Sequence, residues 1–316
     1  MTEEDVRMIK EGFLVKLLRA SEHFKTLEDE ITAFLKREPY LFVRETEPKR
    51  TQYRVKVVEE FPPHIAVVVG DVLQNARSSL DHLAWRLAGD NAVRATSFPI
   101  YDKRDDYFAQ DRRGKPTTNS GLFKVAALPK KAQTIIETMQ PYHGTDLGRT
   151  LGLLHDFARI DRHRLLHLVG GASDDFVMRA GRRNESGELV MTKEGSTGEL
   201  KVRLGAFEHD TVIATITHAP DVEVECEFPV HIAMRESEPG SHFYPVLLAL
   251  AGALRAVRDV AVTLGPQVLR QSKRSWADGP VTQVDVGDAL MQKTAAPGTP
   301  YVARISRRRH LPPSKG

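Results

Sequence analysis

Apolar residues recur at helical spacing through the first part of the chain. Phe13, Leu14, Leu17, Leu18, Ala20, Phe24, Leu27, Ile31 and Leu35 fall on one stripe, which predicts a long helix over residues 3–37. Thr2 followed by Glu3, Glu4 and Asp5 gives that helix a capped, acidic first turn that suits its dipole. Two β-type runs follow, Tyr40–Arg44 and Tyr53–Val58, and the polar stretch between them predicts a hairpin. Pro62 and Pro63 then stop the strand and open a second helix over about Ile65–Leu87, with Ile65, Val69, Val72, Ala76, Leu80, Leu83 and Leu87 as its apolar stripe.

Residues 89–128 are rich in Gly, Asp and Arg and contain one apolar island, SFPIY. They predict a long irregular connection, and connections of that length are often functional or mobile. A short helix between Pro129 and Pro141 precedes a fourth helix over about Leu147–Leu168, stopped by Gly170 and Gly171. From about 175 to 235 the period changes to two. Val222, Val224, Cys226, Phe228, Val230, Ile232 and Met234 share one side of a strand, with Glu223, Glu225 and Glu227 opposite and Lys201 and Arg203 as expected cross-strand partners. Pro229 sets that strand at an edge or a bulge. The run Tyr244–Leu269 is apolar nearly all round and predicts a centrally packed helix.

The pattern is that of an α+β fold, a bundle of long helices with an inserted antiparallel β-sheet. The helical part takes residues 1–170, including the hairpin at 40–58 and the irregular segment at 89–128. The sheet takes 171–238, a closing helix 239–271, and a weakly ordered basic tail 272–316.

Composition narrows the class. With 41% hydrophobic and 28% charged residues the 316-residue chain reads as globular. No apolar run approaches membrane-spanning length and the acidic N-terminus does not resemble a signal peptide, so a soluble, cytoplasmic protein is expected. The single Cys226 leaves no internal disulfide and no multi-cysteine zinc site, and its place on the apolar side of a strand marks it as core. Net charge is +3, but residues 304–316 carry five cations and no acid; taking those away leaves −2. A basic tail of this kind can hold nucleic acid, or simply remain solvated.

Candidate chemistry collects on two helices. On the second, Asp71, Asn75, Ser78 and His82 border the apolar stripe, while Arg77 and Asp81 are spaced to pair with each other. On the fourth, His155, Arg159, His163 and His167 step by four, with Asp156, Asp161 and Arg164 among them. Cleavage of an RNA phosphodiester needs a base near neutral pH and a cation for the crowded phosphate, and histidine and arginine supply these.

Arg77-Ser-Ser-Leu-Asp-His82 resembles the R-x4-H motif of HEPN ribonucleases, with Ser78 where many of those proteins have a more polar residue. The resemblance implies a helical, metal-independent RNA-cleaving or RNA-binding dimer, of the kind that serves a defence or toxin system. Arg77 would steady the phosphate and His82 act as general acid or base, with the remaining polar residues of both helices in support. Residues 63–88 and 159–168 are also similar to an uncharacterised bacterial family of the same layout, a likeness that implies no activity. On a helix Arg77 and His82 point about 140° apart, so a partner helix or a second subunit would have to bring a phosphate to both.

Two other readings stay open. His163 and His167, with His82, could hold a divalent transition metal such as zinc, nickel or iron, as in bundle proteins resembling the DinB/YfiT group. Or the Arg, Asp and His groups form a hydrogen-bonded network that fixes helix register in a non-catalytic binding or scaffold protein. Gly170-Gly171-Ala-Ser lacks the flanking strand and helix of a phosphate loop, and Trp85 and Trp276 are expected to be packing residues.

Overall fold

The computed structural model describes residues 11–172, 176–186, 188–191, 197–203, 205–235 and 243–274. The expected acidic first turn, Trp276 and the basic segment 304–316 lie outside the described residues. The fold is α+β, with long helices packed together and the strands of antiparallel sheets inserted between them in the order of the chain. No helix among the described residues is long and apolar enough to cross a membrane.

The chain forms two compact units. The first takes the chain up to Glu28, His64–Leu166, and the chain from Leu247. Its helices are the first part of α1 (Gly12–Leu35), α2 (Pro63–Ala88), the single turns α3 (Arg104–Tyr107) and α4 (Gly121–Lys124), α5 (Lys130–Thr138), α6 (Asp146–His163) and nearly all of α7 (Val246–Arg274). Pro63 opens α2 where its missing N–H costs nothing, and every residue of the expected apolar stripe of α2 is buried. Thr145 caps α6 by accepting from the Gly148 N–H at 3.0 Å. Neighbouring helices interlock through small residues and backbone. The Ser79 hydroxyl of α2 donates to the Phe13 carbonyl of α1 at 2.7 Å, and Gly70 leaves room for the Asp161 carboxylate of α6. α7 is less enclosed than its composition suggests: Leu248, Arg255, Asp259 and Val262 form an exposed stripe along it.

The second unit takes Asp29–Pro63 and His167–Val246, and holds three antiparallel sheets in place of the single expected one. One sheet runs β1 (Tyr40–Glu47), β2 (Arg50–Val57), β8 (Thr211–His218), β6 (Thr197–Val202). The hairpin, expected with the helical part, therefore joins a strand far along the chain, and its turn tightens to Pro48 and Lys49. A second sheet orders β11 (Phe243–Pro245), β10 (Val230–Arg235), β3 (His167–Ala172) and β7 (Gly205–Ala206). The third orders β5 (Leu189–Met191), β4 (Val177–Arg183) and β9 (Glu223–Glu227).

Phe228 and Pro229 split the long strand expected at 222–234 into β9 and β10, because proline has no N–H for a ladder. The seven alternating apolar residues are buried as expected, Cys226 among them. The glutamates opposite pair with Arg44, Arg179 and Arg183; the expected partners Lys201 and Arg203 pair instead with Glu199 and Glu208. Beneath them the buried Tyr53 hydroxyl donates to the Val224 carbonyl at 3.0 Å and accepts from the Cys226 N–H at 2.9 Å.

Candidate functional site

The candidate residues of α2 divide between two directions. Arg77 is 8% exposed and faces inward. One of its terminal nitrogens donates to the Asp81 carboxylate at 2.7 Å, the pairing expected from their spacing, and the other donates to the Phe98 carbonyl, also at 2.7 Å. The same Asp81 oxygen accepts from the Phe98 N–H at 3.0 Å. His82, by contrast, is exposed and lies over Gly12 of α1, where a Cβ would come within 2.7 Å of its Nδ1. Arg77 and His82 thus attend to different neighbours. Asp71 is exposed too, 4.0 Å from His23, and Asn75 accepts from Lys16 and donates to the Asp71 carbonyl. The border positions at 71 and 82 are more open than half-buried.

The Arg77–Asp81 pair has a clear structural task. Residues 97–101 are the apolar SFPIY island of the long connection, a stretch in no helix and no sheet. Buried backbone groups must find partners, and here side chains supply them. Arg77 and Asp81 hold both polar groups of Phe98; the buried Gln140 amide donates to the Pro99 carbonyl at 2.9 Å and accepts from the Tyr101 N–H at 3.0 Å. Gln140 had no sequence signal, because its role depends on a segment some forty residues earlier. So anchored, the connection buries Phe98, Ile100, Tyr107, Val125 and Leu128.

On α6, His155 lies within electrostatic reach of the Arg77 guanidinium. Its Nδ1 is buried without a partner, as is the Nε of Arg77. Burial pushes the imidazole down to about 4, and the positive charges of Arg77, Lys124, Arg159 and Arg162 add to the shift, so His155 is neutral at physiological pH. Asp156 pairs with Arg159 at 3.3 Å, and Asp161 accepts from Gln74 at 3.0 Å. Beyond them Arg162, His163 and Arg164 are exposed at the end of the helix, and neither Arg162 nor Arg164 makes an ion pair among the described residues.

α6 ends at His163, not near Leu168. Arg164 adopts an extended conformation (φ −161°, ψ 154°), and His167 is the first residue of β3. The four-step stripe from His155 to His167 therefore breaks before its last member. Among the described residues no group of three or more His, Cys, Asp or Glu side chains is assembled to hold a metal ion, so the set His82, His163 and His167 is not a ligand cluster.

Comparison with known proteins adds one partial likeness. Mercuric reductase from Streptomyces lividans is 26% identical to this chain over 153 residues, which is 43% of this chain and 31% of that protein. The chain thus spans about a third of the length of the relative it matches. No protein-family model matches the chain, and no solved structure does.

Two features lay outside the candidate residues. Trp85, expected to be a packing residue, is 49% exposed on α2. Lys124, which bears on His155, comes from the irregular segment and lies over the Tyr101 ring at 4.8 Å.

Proposed function

We propose that this chain is an RNA-binding protein in which Arg77 serves the fold and not a cleavage reaction. The observation that carries the reading is the run of exposed cations closing α6, where Arg162 and Arg164 lack ion pairs among the described residues and Arg159 and His163 lie beside them. Cations left unpaired at a surface are suited to phosphate oxygens, which they hold without regard to sequence. Cleavage through Arg77 and His82 is disfavoured because Arg77 has both terminal nitrogens committed and His82 lies elsewhere.

Mercuric reductase acts on mercury by its name, and soft metals are held by thiolates. The one cysteine here, Cys226, is buried, and burial pushes its thiol up to about 12, so we carry none of that activity over.

The test is fluorescence anisotropy with a labelled single-stranded RNA. Arg162→Gln with Arg164→Gln should weaken binding about tenfold or more near 0.1 M salt, by the release of about 0.7 counterion per phosphate contact. His82→Ala should leave binding unchanged. Cleavage of the RNA that disappears in His82→Ala would instead establish the ribonuclease reading, and sedimentation of the full chain would then test the homodimer which that resemblance implies.

A further inference from the structure

We propose that the turn 111–116, in the long connection, is a rigid finger that docks on the phosphate backbone of RNA. The inference rests on the RNA-binding reading above and assigns a second contact, separate from α6. The sequence of the tip is Asp-Arg-Arg-Gly-Lys-Pro, and all six residues are exposed.

The finger is built, not loose. Gln110 and Pro116 form an antiparallel bridge, and the Thr117 N–H donates to the Ala109 carbonyl at 3.0 Å. Within the turn the Asp111 N–H donates to the Lys115 carbonyl at 2.8 Å and the Gly114 N–H to the Asp111 carbonyl at 3.0 Å. Gly114 takes φ +74°, which glycine reaches without strain. The Asp111 carboxylate accepts from the N–H groups of both Arg113 and Lys115, at 2.8 and 3.0 Å. The base is fixed as well. Tyr107 and Ser120 are buried on either side, and the Tyr101 hydroxyl donates to the Asn119 carbonyl.

The consequence is electrostatic. The one acid of the tip is turned inward on backbone N–H groups, while Arg112, Arg113 and Lys115 project without an ion pair among the described residues. A solvated charged loop needs no such internal bonding. A preorganised one loses little conformational entropy when its cations engage a ligand. Apart from the small ring of Pro116 the tip carries no apolar side chain, and none of the large aromatic or aliphatic groups that enter a bilayer, so a phosphate backbone in water fits it better than a lipid surface.

The experiment uses the full chain and a fluorescein-labelled single-stranded oligouridylate, with anisotropy read across a salt series. Replacing Arg112, Arg113 and Lys115 together by Gln should weaken binding about 100-fold near 0.1 M salt and flatten the log–log salt slope by about 2, since each phosphate contact contributes about 0.7. The melting temperature should be unchanged, because the three side chains are exposed. Asp111→Ala is the sharper variant. It adds net positive charge, so charge alone predicts tighter binding, whereas a finger held by that carboxylate predicts weaker binding. Tighter or unchanged binding by Asp111→Ala, or an unaltered triple variant, overturns the finger while the α6 variants still test the RNA reading. A wild-type chain that fails to bind the oligouridylate, or that prefers anionic vesicles, overturns both.

Discussion

At the scale of single residues, the most consequential group is Arg77. Its pairing with Asp81 was legible because an i, i+4 spacing on a helix admits it; its bond to the Phe98 carbonyl was not, since nothing local brings position 98 to position 77. Removing a buried guanidinium strands two partners at once. Arg77→Met should cost about 2–4 kcal/mol of stability in urea unfolding, toward the lower end because Asp81 is partly exposed and can recover water. A neutral result would show that the clamp on residues 97–101 is dispensable. His155 supports a second prediction. Its folded value of about 4 lies below the ordinary 6.5, so between those limits the unfolded chain takes a proton that the folded chain refuses. Stability should therefore fall as pH drops through 6.5, with the loss complete below about 4. His155→Gln should flatten the fall in melting temperature over that window; an identical profile in wild type and variant would place the titration elsewhere.

At the scale of elements, α6 shows where local pattern succeeds and where it misleads. Its start was readable, and Gly148 in its first turn has a reason the sequence did not disclose: a Cβ there would come within 2.7 Å of the Gln140 carbonyl oxygen. In an ordinary helix Gly→Ala adds about 1 kcal/mol. Here Gly148→Ala should instead destabilise by about 1–3 kcal/mol, because the obstructing atom belongs to the backbone and cannot rotate away; thermal unfolding decides the sign. The end of the helix was misread for a physical reason. Leu165, Leu166 and Leu168 continue a helical stripe, yet Leu166, Leu168 and Gly170 also satisfy a period of two, and the latter is what forms, with Leu165 left 51% exposed. The two glycines that looked like a helix stop instead admit aromatic rings, Tyr40 against Gly170 and Phe243 against Gly171. The apparent His163–His167 pair was a casualty of that boundary.

At the scale of the whole molecule, the α+β class was legible because the apolar period changes from helical to alternating along the chain, but the sheets were not. Strand β2 pairs with β8, so that Arg50 stands opposite Thr217, and local alternation carries no information about such distant partners. The same separation of scales applies to charge. The chain is +3 in total, yet apart from residues 304–316 it is net −2, so whatever affinity it has for RNA must come from local concentrations of cation and not from its overall field. Two such concentrations lie in the described residues, at the end of α6 and on the finger at 111–116, and a third, of five cations, lies in 304–316. They can be separated by neutralising the last set alone, with Arg304, Arg307, Arg308, Arg309 and Lys315 changed to Gln in the full chain. If the cations of α6 and the finger carry the binding, this variant should lose less than about threefold in affinity near 0.15 M salt, since groups that make no phosphate contact release no counterions. A larger loss than that of the finger variant, with a correspondingly flatter salt dependence, would transfer the binding to that segment and leave the finger and α6 as solvated charge.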